Sequence, residues 1–187
     1  MTPTEDMLDR AAAAALALAS SRPWREVSLR DIASKAGVPF ADLYEHAEGK
    51  AKVMAHLSSR FDRAALATAN GLDADVHDRL FEAVMARIEA MEPHRTALTA
   101  IGRADPLSVA RHLPHTARAI LEAAGVEATP PRLAAMTAVW TRVLQVWRDD
   151  EGALNRTMAE IDRRLKQMRG QLKRIGAGFS EPLRDSN

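Results

Sequence analysis

Residues Ser28–Lys50 read SLRDIASKAGVPFADLYEHAEGK. The stretch divides into a helix, a tight turn and a second helix. Ser28 suits an N-cap, because its hydroxyl can accept from the free N–H groups of a first helical turn. Asp31, three residues on, sets a carboxylate near those same donors. Ile32, Ala33 and Ala36 supply an apolar face. Gly37 ends the helix, since a residue without Cβ enters the left-handed region at least cost. Pro39 fits the first turn of the next helix, where its missing N–H forfeits no bond, and Leu43 points back into a small core. Two short helices across a Gly turn form the pattern of a helix-turn-helix, whose second helix reads DNA.

The rest of the chain is consistent with helices throughout. Its 187 residues suit one domain, or a small domain on a larger one. The apolar share, 47%, is mostly Ala and Leu with nine Gly, a composition that favours helix over strand. A net charge of +1 argues for no class of partner. Without cysteine there is neither a disulfide framework nor a thiolate metal site, and the redox compartment is unconstrained. The apolar run Ala11–Ala19 is too short to span a bilayer. Glu5, Asp6 and Asp9 stand where a secretory signal would carry positive charge, so a cytoplasmic location is expected.

Local signals place the helices. Thr2, Pro3 and Glu5 form a capping box with Pro at the first helical position, and the first helix ends near Ser20. Trp24 plugs the gap between it and the helix-turn-helix as a core aromatic. A fourth helix starts near Gly49 and stops at Asn70-Gly71, and a fifth covers about 75–91. Pro93 starts a sixth, to about Arg103. Asp105-Pro106 caps a seventh, which Pro114 should kink or break. Residues 125–131 are a loop with Thr129 as a cap. Two helices finish the chain, with Leu133, Met136, Trp140, Val143 and Trp147 on one. Leu154, Met158, Ile161, Leu165, Met168, Leu172 and Ile175 lie on the other. This 3–4 alternation describes a narrow helix–helix seam. From about Gly176 the chain should fray.

The helix-turn-helix residues resemble the N-terminal domain of the TetR family of transcription regulators. The matching positions are Ser28, Ile32, Ala33, Ala36, Gly37, Val38, Leu43, Tyr44, His46 and Lys50. Phe40 stands where the family often has Lys or Arg, Asp42 where it has a small hydroxyl residue, and Ala47 where it has Phe. The resemblance implies phosphate contacts by Tyr44, His46 and Lys50, with residues 39–42 facing the bases. The DNA-facing set is then Ser28, Arg30, Lys35, Pro39, Phe40, Asp42, Tyr44, His46 and Lys50. Residues 1–60 carry eight basic and eight acidic side chains, and Asp42, Glu45 and Glu48 lie on or beside the reading helix. Affinity for DNA rests largely on neutralising phosphates, so this surface disfavours tight nonspecific binding. A second, shorter pattern joins Trp147, Asp149, Asp150, Thr157, Asp162, Arg163 and Arg164. It resembles the ubiquinone-biosynthesis lipid-binding proteins, which share a TetR-like fold without acting as repressors.

Other clusters carry less chemistry. His112 and His115, with His94 and His77 elsewhere, lack a third ligand at metal spacing, so no metal or cofactor is expected. No phosphate loop, nucleophile motif or paired-carboxylate motif stands out, and no enzyme is expected. Arg163, Arg164, Lys166, Arg169, Lys173 and Arg174 make the last helix basic, as a solvated face or one for an anionic membrane or nucleic acid.

The expected architecture is all-α and TetR-like, with about nine helices. A three-helix helix-turn-helix domain occupies 1–48, and a larger ligand-binding and dimerisation domain occupies 49–187. The expected function is that of a repressor binding a DNA palindrome as a homodimer and released by a small apolar ligand. The alternative is a lipid- or quinone-binding accessory protein of ubiquinone biosynthesis. Candidate ligand contacts are Phe81, Met85, Ile88, Leu98, Ile101, Met136 and Trp140. Candidate dimer contacts are Trp147, Met158, Ile161 and Leu165.

Overall fold

The computed structural model describes residues 2–70, 74–150 and 154–179, and every regular element among them is helical. Helix α1 (Pro3–Ser21) opens in the expected capping box. Thr2 Oγ1 accepts from the Glu5 N–H at 3.2 Å, and the Thr2 N–H donates to the Glu5 carboxylate at 2.7 Å. Helices α2 (Leu29–Ala36), α3 (Phe40–His46) and α4 (Lys50–Leu66) follow, with a 3₁₀ turn Trp24–Glu26 ahead of α2. After α4 a 3₁₀ turn runs to Asn70, and Gly71, the other half of the expected stop, lies outside the described residues.

Helix α5 (Val76–Met91) is capped by Asp75, whose Oδ1 accepts from the N–H of His77 at 2.5 Å and of Asp78 at 3.1 Å. Pro93 does not start α6 (Arg95–Ala104) but sits in a 3₁₀ turn, Glu92–His94, that joins it to α5. Asp105 caps α7 (Pro106–Ala123) as expected, accepting from the Ser108 N–H at 3.0 Å. Pro114 does not break α7. One proline removes one backbone bond, and burial of Thr116, Ala117, Ile120 and Leu121 holds the turn that follows. Helix α8 is Pro130–Arg148 and helix α9 is Asn155–Arg174. Thr129 occupies the cap position of α8, but its side chain makes no cap bond. Among the described residues no helix is long and apolar enough to cross a membrane.

Two compact units emerge, Met1–Phe61 with Glu89–His112, and Asp62–Ile88 with Leu113–Asn187. The first therefore holds all of 1–48 together with part of 49–187. In it α1 packs on α2, α3 and α6 through a face of Ala11, Ala12, Ala15, Leu16 and Ala19. In the second, α8 and α9 form the most extensive helix pairing. Met136, Trp140, Val143 and Trp147 of α8 are buried, as are Ile161, Leu165, Met168 and Leu172 of α9. The 3–4 seam is thus used within one chain. Its ends differ, because Leu154 precedes the helix and Ile175 is 67% exposed.

Polar contacts lock the α8–α9 corner. Asp150 Oδ2 accepts from the Thr157 N–H at 2.8 Å and from its hydroxyl at 2.7 Å, which gives α9 a cap from outside the helix. Glu160 accepts from Arg142 of α8 at 3.2 Å and from Arg163 and Arg164 of its own helix. These contacts give the Asp150, Thr157, Arg163 and Arg164 pattern a structural basis. The chain beyond α9 is also held, since Arg132 donates to the carbonyls of Ala177 and Gly178. The expectation of fraying from Gly176 therefore fails through Phe179, and later residues lie outside those described.

Burial on its own would raise the Glu160 carboxyl, but the bonds from Arg163 and Arg164 outweigh it and hold the group below the ordinary glutamate range. The stabilisation is full above the unfolded pKa of about 4.3 and is lost as pH falls through the lower folded value. Acid titration should therefore loosen this corner below about pH 4, read as lost amide protection across residues 142–164.

Candidate nucleic-acid interface

The helix-turn-helix is built by the local devices that its sequence contains. Ser28 Oγ accepts from the Asp31 N–H at 3.1 Å, and the Ser28 N–H donates to Asp31 Oδ2 at 2.8 Å, a complete capping box. Bonds from Ser28, with Arg22 at 2.8 Å, hold the Asp31 carboxyl below its usual range. Gly37 has φ +63°, and a Cβ there would meet nothing within 4 Å. Its requirement is one of backbone conformation alone, worth about 1–2 kcal/mol against other residues. Pro39 is the N-cap of α3 rather than a residue of its first turn. Its ψ of 133° is extended, and helical geometry starts one residue later. Leu43 is fully buried, as the pattern requires.

The outer face of α3 carries an aromatic and arginine cluster. The Arg30 guanidinium lies 4.3 Å from the centroid of the Phe40 ring, and the Phe40 and Tyr44 rings are 5.9 Å apart. Tyr44 is 53% exposed, and Ser28, Arg30, Lys35, Pro39 and Asp42 are also exposed. Stacking uses the flat face of a guanidinium and leaves its N–H edge for a phosphate. His46 Nδ1 lies 3.0 Å from the Asp42 carbonyl oxygen. Lys50 stands apart from this cluster. Its ammonium donates to the Trp24 carbonyl at 2.9 Å and lies 4.6 Å from the centroid of the Trp24 ring, and burial pushes its pKa down. Trp24 is itself buried, as the plug reading expects. The cap and Arg22 occupy Asp31, while Asp42, Glu45 and Glu48 remain exposed acids.

The candidate ligand contacts divide between the two units, Leu98 and Ile101 in the first and Phe81, Met85, Ile88, Met136 and Trp140 in the second. Ile88, Met136 and Trp140 are fully buried, while Phe81 and Met85 are half-buried. Of the candidate dimer contacts, Trp147, Ile161 and Leu165 are buried within one chain and Met158 is half-buried. The reason for placing those three against a second chain, an exposed seam, is therefore absent. His112 bonds to the Ser108 carbonyl of its own helix at 2.7 Å, and His77 of α5 pairs with Asp162 of α9 at 3.0 Å.

Sequence reasoning missed a buried ion pair in the second unit. Arg87 donates to Asp62 Oδ1 at 2.8 Å and to the Thr116 hydroxyl at 3.1 Å, with its guanidinium 4.7 Å from the centroid of the Trp140 ring. Asp62 Oδ2 is buried without a hydrogen bond, with His115 Nε2 3.7 Å away. The available signal was local, because Arg87 sits on the same helical stripe as Val84 and Ile88, where a surface arginine would not fall.

An all-helical chain with a capped helix-turn-helix near its start defines a class, the helix-turn-helix proteins. Within that class, residues 12–57 match the family model of bacterial regulatory proteins, tetR family. A TetR transcriptional regulator from Rhodococcus sp. RHA1 is similar in structure, with TM-score 0.67 and 16% identity, over 87% of this chain and 95% of that one. A tetR-family regulator from Streptomyces coelicolor gives TM-score 0.54 and 17% identity, over 91% of this chain and 84% of that one. The dihydroxyacetone kinase operon activator DhaS gives 0.55 and 12%, over 89% and 96%. No curated protein matches the chain in sequence. The N-terminal segment is thus similar to a TetR-family helix-turn-helix, and the chain shares the fold of solved TetR-family regulators.

Proposed function

We propose that the protein is a cytoplasmic TetR-type transcription regulator, a repressor that binds a DNA palindrome as a homodimer and is released by a small apolar ligand. The observation that carries this reading is the cluster of exposed Arg30 and Tyr44 around half-buried Phe40, on a helix-turn-helix whose first helix is held by a capping box. Arg30, Lys35 and Tyr44 serve the backbone, and Pro39, Phe40 and Asp42 face base edges. Lys50 acts first through Trp24, and its two remaining N–H donors are left for phosphate. The ligand belongs among the apolar side chains of the second unit, around the half-buried Phe81 and Met85. The protein's role is binding, and no catalytic step is assigned to it.

Selection from random duplex DNA at low salt should enrich one palindromic sequence. Its affinity should fall steeply with salt, and Lys35→Ala should weaken all sequences alike while lowering the salt slope by about one. Phe40→Ala should change which sequence is preferred. The lipid-binding reading has its own support in the exposed Asp42, Glu45 and Glu48 and in the basic outer face of α9. A selection that enriches nothing would favour it.

Dimerisation is assigned to the outer faces of α8 and α9, where Ala134 and Ala138 are exposed and Thr141 and Met158 half-buried. Ala138→Glu with Met158→Asp should yield a monomer that keeps its helical content. The unmodified protein should sediment as a dimer at micromolar concentration, and a monomer there would remove the basis for a palindromic site.

A further inference from the structure

A groove of about 790 Å³ lies wholly within the first unit. Its floor is Leu16 of α1, Leu57 and Phe61 of α4, and Ala97 of α6, all buried. Ala13 and Ala17 of α1 form one wall, and both are exposed. Small side chains there keep the space open. The volume falls in the range of small-molecule sites, about 300–1,000 Å³.

The polar groups on the rim have one character. Arg60, His94, Ser20 and Thr96 line the groove, and no lining residue is a carboxylate. Arg60 pairs through Nε with Asp9, whose Oδ1 lies 3.5 Å away, and Asp9 also bonds His56 at 2.7 Å. The two Nη groups of Arg60 form the paired donor edge that matches a carboxylate. The His94 ring lies near Phe61, with centroids 6.2 Å apart and the rings tilted by 40°, so an imidazole and an aromatic ring share the lining. The Ser20 hydroxyl donates to the Leu16 carbonyl at 3.0 Å, which leaves its oxygen as an acceptor for a protonated head or a water.

We propose that this groove is a binding site for a small amphipathic carboxylate, with its apolar body on Leu16, Leu57 and Phe61 and its head on Arg60. The site is separate from the second-unit ligand of the regulator reading and does not depend on DNA binding. Its walls come from α1, which packs on both helices of the helix-turn-helix, and from α4 and α6. A ligand that favours one spacing of these helices shifts the conformations available to the reading helix.

The test compares decanoate and benzoate with decanol and benzamide, by calorimetry on the full-length protein. The carboxylates should bind about tenfold or more tightly than their neutral counterparts, in keeping with a charge-assisted hydrogen bond. Arg60→Gln should abolish that preference while leaving neutral binding in place. Ala17→Trp, an exposed position that fills the groove, should abolish both. NMR shifts of the His94 ring should report occupancy. Carboxylates that bind no better than neutral analogues would overturn the proposal, as would absence of binding at millimolar concentration. Binding unchanged in both variants would overturn it by placing the ligand elsewhere, and would leave the DNA reading intact.

Discussion

Arg87→Met should destabilise the protein by about 3–5 kcal/mol, the usual cost of leaving a buried charge without its partner. Asp62 would keep its carboxylate in a buried site with both oxygens unbonded, since Oδ2 already lacks a hydrogen bond. Thr116, 1% exposed, would lose its donor as well. The double variant Arg87→Met with Asp62→Leu should recover most of the loss, because well-packed apolar replacements of a buried pair are often neutral or better. Urea denaturation of the single and double variants measures both values. A single variant within about 1 kcal/mol of the parent would show that the pair is hydrated.

Trp24→Ala should cost a similar amount, about 3–5 kcal/mol, with its effect in the first unit. The ring is 3% exposed and is also the surface over which the Lys50 ammonium rests. Truncation opens a cavity where the Trp24–Glu26 turn packs on α6 and removes the ring beneath the Lys50 ammonium. Amide exchange should show the largest loss of protection in residues 12–57, whereas Arg87→Met should show it in the second unit. DNA affinity of Trp24→Ala should fall for every sequence, because the change alters the seating of the helix-turn-helix and not its reading face.

The two variants also mark where sequence reading succeeds. Ser28 with Asp31, Thr2 with Glu5, and Gly37 were legible because each device closes within a few residues and depends on local backbone geometry. The helices were legible for the same reason, through periodicity. The pairing of Arg87 with Asp62 was not, since the two are 25 residues apart on different helices and no local rule joins them. The motif at Lys50 gives no sign of its bond to the Trp24 carbonyl, which lies 26 residues earlier. The 3–4 stripes of α8 and α9 do mark a seam. Periodicity says that a stripe must be covered, but not by which chain, and here the two helices cover each other. Pro114 by its own chemistry predicts a kink or break, and α7 runs through it unbroken with the following turn buried.

The first unit is assembled from two separated stretches of chain, Met1–Phe61 and Glu89–His112. This bears on how the molecule can be dissected. A cloned N-terminal fragment would include the whole reading motif but lack α6, against which α1 lies. Its buried alanine face would then meet solvent, and a negative binding result from such a fragment would say nothing about the motif. Chimaeras that graft this reading head onto another body need both stretches exchanged together. The same holds for any evolutionary exchange of the head, for which a single crossover in the gene is insufficient.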